Sequence, residues 1–357
     1  MDLTKNNEPL VEVIILTHNG KSNLIKCLSS LKKTRYSNLI VSVVDQNSQD
    51  GTFEYIKNNH SYVKLVRNKI NKSFSEGNND ILKKSKAKYC ILLNDDTEHH
   101  PNWIKELVKI AEKDEKIVAL QPKVLDMKNR KYFEYAGAAG GFIDIYGYPI
   151  CRGRIFDSVE EDKGQYNDEK EIFWSCGVAM FIRKDMIKKI NYLDEVFESY
   201  AEELDACWRM NLLGYKIFFV PNSIIYHLGS SSWGKKKNNF KKQYLIHRNH
   251  WIALLKNTQI ERWWKIVPIK LLLELLTIFS FSFRDPNKSL ATLKANFWIL
   301  FNIVMIIKKN RENIKNRAID DKDIIKKMIK TSVALHYFLG RKRKKFGDYK
   351  NYIENYN

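Results

Sequence analysis

The chain has 357 residues, 44% hydrophobic and 12% aromatic, which excludes a disordered or low-complexity protein and suffices for one large domain or two ordinary ones. Its net charge of +20 is unevenly placed: residues 235–357 hold 28 Lys+Arg against 9 Asp+Glu, and residues 1–234 hold 33 against 32. That asymmetry divides the chain into a neutral part, 1–234, and a basic part, 235–357, with different tasks.

Residues 11–16, rich in Val and Ile, predict a strand halted by Thr17, His18, Asn19 and Gly20. Leu24, Cys27, Leu28 and Leu31 recur at i, i+3, i+4, i+7 and predict a helix. A second apolar run at 39–44 ends at Asp45 and the turn residues of 47–51. Residues 52–58 read as a helix, 63–66 as a third strand and 79–84 as a third helix. The fourth strand, 89–93, ends abruptly in Asn94-Asp95-Asp96. Strands alternating with helices predict an α/β layer with a mainly parallel sheet. Ligands of such sheets sit outside the carboxyl ends of the strands, and those ends carry Thr17, Asp45 and Asp95-Asp96. No G-x-G-x-x-G or G-x-x-x-x-G-K follows a strand, which disfavours dinucleotide and P-loop readings.

Two adjacent aspartates repel, and burying them is costly without a positive group beside them. One reading of Asn94-Asp95-Asp96 is turn chemistry that caps a helix starting near 101–103. The other is a divalent cation held by carboxylate oxygens and substrate phosphates. A second acidic cluster, Glu202, Glu203 and Asp205, lies among Phe197, Tyr200 and Trp208, an aromatic setting unlike a solvated helix face. If helical, Glu202 and Asp205 share a face and Asp205 pairs with Arg209 at i, i+4. Residues 215–221 predict a strand, and 224–226 lead into His227, a residue type that alone is more often structural than a ligand.

Motifs in fixed order now accumulate: VEVIILTHNG (11–20), VVDQNSQDGT (43–52), NKSFSEGNN (71–79), LLNDDTEHHPNW (92–103), AGAAGGFIDIYGYPICRGRIF (136–156), FWSCGVAMFIRKDM (173–186), LDEVFESYAEELDACWRMNLLGYKIFFVPNSIIYH (193–227) and LGSSS (228–232). The series resembles the family 2 inverting glycosyltransferases with the GT-A fold, over about residues 10–260. Within that family it is most similar to the rhamnosyltransferase-type enzymes that build bacterial or archaeal surface glycans.

The resemblance implies a site. Asp96 would hold Mg²⁺ or Mn²⁺ bridging the diphosphate of a sugar nucleotide, Asn94 stands for the first acid of the D-x-D motif, and Asp95 assists. Asp45 and Gln46 fall where the family grips the nucleobase, Thr17 and Asn19 in its first nucleotide-binding loop. Asn78 stands where UDP-specific relatives often carry Arg, and Ser73 replaces the usual Gly of an N-x-G-F turn. Glu202-Glu203 matches the acidic pair whose second member is the catalytic base, here Glu203. His227 matches the family's third metal-contacting residue, and Trp174, Cys176 and Gly177 fall on the acceptor side. The implied reaction is in-line attack of an acceptor hydroxyl on the anomeric carbon, a carboxylate taking the proton and the metal neutralising the leaving diphosphate.

The basic part opens with Lys235-Lys236-Lys237 and Lys241-Lys242 and nearly closes with Arg341-Lys342-Arg343-Lys344-Lys345. Between them lie apolar, aromatic stretches at 263–283 and 293–307, the first interrupted by Lys265, Lys270 and Glu274, the second by Lys294. Neither offers about 20 uncharged apolar residues, so a helical, monotopic association with an anionic membrane surface fits better than a span. A helical domain with solvated lysines is the plainer reading. No helix-turn-helix, zinc finger or RNA-binding signature accompanies the charge, so no nucleic-acid partner is expected. Met1 to Pro9 lacks an apolar run, and five scattered cysteines without a C-x-x-C pair point to reduced thiols in a cytosolic setting. The sequence thus leads to a transferase on the cytoplasmic membrane face, using a nucleotide-diphospho-sugar donor and a glycan or polyprenyl-linked acceptor. A catalytically inactive binding subunit and a basic nucleic-acid-binding protein are the alternatives.

Overall fold

The predicted alternation becomes a strand–helix ladder: β1 (Val11–Thr17), α1 (Lys21–Leu31), β2 (Leu39–Asp45), α2 (Thr52–Asn59), β3 (Val63–Arg67), α3 (Phe74–Leu82) and β4 (Tyr89–Asn94). It is seen in a computed structural model that describes residues 8–229, 239–339, 343–354 and 356. Residues 1–7, the end of the LGSSS stretch, the expected boundary at 234/235, Lys235-Lys236-Lys237 and Arg341-Lys342 lie outside the described residues.

These four strands pair in parallel in the order β4-β1-β2-β3. Strands covered on both faces must be apolar throughout, and Val13, Ile14, Ile15, Ile91 and Leu92 are fully buried. The register sets Leu16 beside Asn94 and Thr17 beside Asp45, so three polar strand ends meet at one edge of the sheet.

The sheet as a whole is mixed rather than mainly parallel. The chain continues through β5 (Thr97–His99), α4 (Trp103–Ala111), β6 (Ile117–Asp126) and four short strands, β7 (Gly141–Ile143), β8 (Pro149–Cys151), β9 (Arg154–Ile155) and β10 (Ser158–Val159), which form a separate small sheet. Then follow β11 (Lys170–Ile172), β12 (Ala179–Arg183), α5 (Lys184–Lys189), α6 (Glu202–Leu212) and β13 (Lys216–His227). β12 inserts antiparallel between β4 and β6, while β13 runs parallel to β6 and antiparallel to β11 and β5. The two runs expected at 215–221 and 224–226 are one strand, whose register shift between Val220 and Ile224 accommodates Pro221.

One expected helix start differs, as does the cap expected of another. α3 begins at Phe74, not 79, because Ser73 Oγ accepts from Glu76 N (3.3 Å) and Glu76 Oε2 accepts from Ser73 N (3.0 Å). This capping box is invisible to apolar spacing. α4 begins at Trp103 with β5 intervening, so Asp95 and Asp96 are not its cap.

The basic part is helical: α7 (Asn239–Asn257), α8 (Trp263–Arg284), α9 (Pro286–Phe301), α10 (Ile303–Lys315), α11 (Asp321–Lys326) and α12 (Val333–Phe338). α7 lies between α6 on one side and α9 and α10 on the other. α8 is inside out. Its charges Lys270 and Glu274 are 0% and 1% exposed and pair at 2.9 Å, whereas Trp264, Leu275, Phe279 and Phe283 face outward. Leu290, Phe297, Leu300 and Phe301 of α9 extend the exposed apolar face. By length and composition the helical segment Ile260–Arg284 is long and apolar enough to cross a membrane, and two of its three charged interruptions, Lys270 and Glu274, turn inward as an i, i+4 pair. α9 and α10 are bent by 68° at their junction.

Candidate active site

The turn after β4 is held from beneath by β1. Thr17 Oγ1 donates to Asp95 Oδ2 at 2.6 Å, and a Cβ on Gly20 would stand 2.3 Å from that oxygen. Gly20 is therefore required for close approach rather than for backbone freedom. Burial, and then the neighbouring Asp96 charge, push the Asp95 carboxyl up to about 7 against the lowering effect of the Thr17 hydrogen bond.

His227, the last residue of β13, reaches this turn because β5 pairs with β13 and sets His227 opposite Thr97. Leu228 N donates to Asp96 O at 3.0 Å, fixing the approach. His227 Nε2 lies 3.1 Å from Asp96 Oδ1 and 3.3 Å from Asn94 Nδ2, and His227 Nδ1 lies 3.0 Å from Glu134 Oε2. Burial alone would depress the imidazole, but the hydrogen bonds and charges of Asp96 and Glu134 outweigh it and raise its pKa to about 10. The ring thus stands between the carboxylates of Asp96 and Glu134.

The donor set also fits a divalent cation. Two cis ligands of an octahedral Mg²⁺ or Mn²⁺ at roughly 2.1 Å stand about 3 Å apart, the separation found between Asp96 Oδ1 and His227 Nε2. Glu134 behind Nδ1 would orient the ring, as carboxylates do behind metal-bound histidines. No group of three or more His, Cys, Asp or Glu arranged to hold a metal occurs among the described residues. Protein donors here number two, which suits an ion that takes most of its ligands from substrate and water.

Glu202 and Glu203 open α6, after an Ala201 in the left-handed region (φ 67°) with no side-chain cap. Gly177 N approaches Glu203 Oε1 at 3.5 Å, and Cys176 Sγ lies 3.9 Å from it. A Cβ on Gly177 would meet the Phe74 ring at 3.3 Å, so a larger residue there would have to displace that ring by a few tenths of an ångström. The neighbouring Val178 O accepts from Asn94 N at 3.0 Å, which links the acidic pair to the β4 turn through one strand end. Among the described residues, buried Glu202 Oε2 and Glu203 Oε2 have no hydrogen-bond partner. Burial, then the Glu203 charge, push the Glu202 carboxyl well above the usual range, and burial also raises Glu203.

The nucleotide-side residues form an adjoining layer. Asn19 N donates to Ser48 Oγ (2.9 Å) and its Oδ1 accepts from Gln49 N (2.7 Å), tying the loops after β1 and β2. Asp45 is fully buried and pairs with Arg67 Nε at 3.4 Å, and Gln46 Oε1 accepts from Asn68 Nδ2 at 2.7 Å. Two expected residues are not brought to the site. Asn78 is buried and donates to Phe74 O within α3 (2.9 Å), and Trp174 is buried against Gly141, its indole N–H on Phe142 O (2.9 Å). Glu134, Gly20 and Arg67 were missed. A strand-end position marks Arg67, but nothing in the spacing marks Glu134.

The model of glycosyl transferase family 2 matches residues 12–190, half of the chain. The chain belongs to family 2. An uncharacterized glycosyltransferase of Haemophilus influenzae is 31% identical over 156 residues, 43% of this chain and 48% of the relative, so the chain spans about half that relative's length. A crystal structure of GalNAc-T7 with UDP, GalNAc and Mn²⁺ superposes with a TM-score of 0.54 at 19% identity, over 70% of this chain and 48% of that one. A mannosyltransferase of Pyrobaculum calidifontis in complex with GDP-Man and Mn²⁺ gives 0.49 at 13% identity, over 88% and 85%. At such identities the GalNAc-T7 likeness establishes the fold alone, a GT-A-like α/β fold, and the second comparison adds no argument.

Proposed function

We propose that this family 2 glycosyltransferase is a metal-dependent, inverting enzyme that moves a hexosyl or rhamnosyl group from a nucleotide-diphospho-sugar to a hydroxyl of a glycan or polyprenyl-linked acceptor. The observation that carries the reading is the Asp96 Oδ1–His227 Nε2 pair, 3.1 Å apart, with Glu203 tied to the same turn through Gly177 N and the Asn94 N–Val178 O bond and its buried Oε2 without a hydrogen-bond partner among the described residues. The UDP, GalNAc and Mn²⁺ held by the GalNAc-T7 structure support a nucleotide-sugar donor and a divalent ion.

Bound Mg²⁺ or Mn²⁺, held by Asp96 and His227, would supply charge neutralisation for the departing diphosphate. The rest falls to this chain. Thr17, Asn19, Asp45 and Gln46 line the loops on the nucleotide side, with Arg67 set against Asp45. Buried Glu202 and half-buried Glu203, adjacent at the start of α6, resist double ionisation. Glu203, its proton affinity raised by burial, takes the proton of the attacking hydroxyl.

The same reading sets the protein on the cytoplasmic face of a membrane. All five cysteines are free and buried. The outward apolar face of α8 and α9, with Lys265, Arg284, Lys288 and Lys294 along the same helices, suits a bilayer with anionic headgroups. Such a surface would present a polyprenyl-linked acceptor to the site.

The test is a thermal-shift screen of nucleotide sugars with Mn²⁺. A bound donor at a hundredfold its Kd adds about 2.7 kcal/mol of stability. One donor class should stabilise the protein in a Mn²⁺-dependent manner and lose that effect in Asp96→Asn. If no nucleotide sugar stabilises it with or without Mn²⁺, the reading fails.

A further inference from the structure

The loop that delivers the acidic pair is strained and held from outside its own domain. Glu198 (φ 60°), Tyr200 (φ 71°) and Ala201 (φ 67°) all occupy the left-handed region, unfavourable for residues with a side chain. Such a loop keeps its shape only if its surroundings over-determine it. They do. Asn249 of α7 is fully buried, and its Nδ2 lies 2.8 Å from Phe197 O, 2.8 Å from Ser199 O and 2.7 Å from Tyr200 O, two N–H groups shared among three carbonyls. Arg248, next in α7, donates through Nη2 to Val196 O (3.0 Å) and Phe197 O (3.2 Å), through Nη1 to Glu198 Oε1 (2.9 Å), and through Nε to Asn249 Oδ1 (2.9 Å). The remaining carbonyl, Glu198 O, accepts from Phe74 N at 3.0 Å. Every carbonyl from 196 to 200 therefore has a donor, and α7 supplies four of the five. Two turns further along α7, Lys256 Nζ and Asn257 Nδ2 each approach buried Asp205 of α6 at 2.9 Å.

We propose that Arg248 and Asn249 are positioning residues for the Glu202-Glu203 pair, so that the first helix of the basic part belongs to the catalytic machinery. The inference rests on Glu203 being the base. Neither residue is near enough to substrate loops to act directly: both are buried against the back of the 196–201 turn. Their effect reaches the reaction only through the entry angle of α6, and displacement of a reacting group by about 1 Å can cost about 100-fold in rate.

The experiment uses the full chain carrying Asn249→Ala, Glu203→Gln, and both together. Turnover is followed as release of nucleoside diphosphate from the donor that the screen identifies, and binding as thermal shifts with UDP, GDP and dTDP plus Mn²⁺. Asn249→Ala should remain folded, lower kcat about 100-fold, and leave the nucleoside diphosphate shift unchanged. Added to Glu203→Gln it should cost nothing more, since it acts only through that carboxylate. A folded Asn249→Ala with kcat within twofold of the parent overturns the proposal. So does a further multiplicative loss in the Glu203→Gln background. Where Asn249→Ala does not fold, Arg248→Lys, which keeps a charge for Glu198 but not the two carbonyl contacts, is judged by the same two criteria. A fully active Glu203→Gln overturns the base assignment, an outcome distinct from an active Asn249→Ala.

Discussion

Gly20→Ala isolates one contact on which the site depends. The Gly20 backbone, at φ −107°, is open to any residue, so alanine introduces no backbone strain. Its Cβ, however, would stand 2.3 Å from Asp95 Oδ2 and 2.6 Å from Thr17 Oγ1, the two atoms of a 2.6 Å hydrogen bond. That bond must open. A buried hydrogen bond to a charged group contributes about 1.5–3 kcal/mol. With an unfolding entropy of about 2.1 cal/mol/K per residue, a loss near 2 kcal/mol lowers the Tm of a 357-residue chain by about 3 °C. The functional loss is larger, because a displaced Asp95 carries Asp96 away from His227 Nε2. Calorimetry with and without Mn²⁺ and donor reads both effects. We expect the small drop in Tm together with loss of most of the donor-dependent stabilisation. A variant that keeps the full donor-dependent shift would refute the argument that this turn holds the metal and diphosphate.

Two further predictions concern the basic part. Asp194 pairs with Lys256 (2.6 Å) and Lys309 (3.0 Å), whose charges outweigh the raising effect of burial and hold its carboxyl below the usual range. A depressed carboxyl contributes stability above its unfolded pKa and loses it as pH falls through the folded one. The urea midpoint should therefore drop on acidification below about pH 4, and Asp194→Asn should flatten that drop, as denaturation curves across the acid range will show. Phe283 and Phe301 are 78% and 81% exposed on α8 and α9. Replacing both with Ser should reduce co-sedimentation with vesicles of anionic lipid while leaving nucleotide binding intact; unchanged partition would remove the membrane from the account.

The parallel half of the sheet was legible because strands buried on both faces need unbroken apolar runs, and those of β1, β2 and β4 end where the ligand edge lies. β12 is as apolar, yet its antiparallel insertion between β4 and β6 is a tertiary choice that no local pattern encodes. The D-x-D turn, Glu202-Glu203 and His227 were legible as an ordered motif series, and the structure gathers them through β5–β13 pairing and the contact of Asn94 with Val178. Asn78 and Trp174 turn their side chains onto backbone carbonyls, since family position does not report which way a side chain packs. Lys270 and Glu274 read as interruptions of an apolar run, although their i, i+4 spacing already allowed them to satisfy each other. Glu134 and Asn249 meet the site only through folding.

The most direct test of the central claim is turnover of Glu203→Gln with the identified donor and acceptor in the presence of Mn²⁺. The substitution keeps the size of a side chain at the start of α6 and removes its capacity to accept a proton. The account predicts that transfer falls by about 10²–10⁴-fold, the usual contribution of a general base, while donor binding is retained. Near-parent turnover with intact donor binding would contradict it.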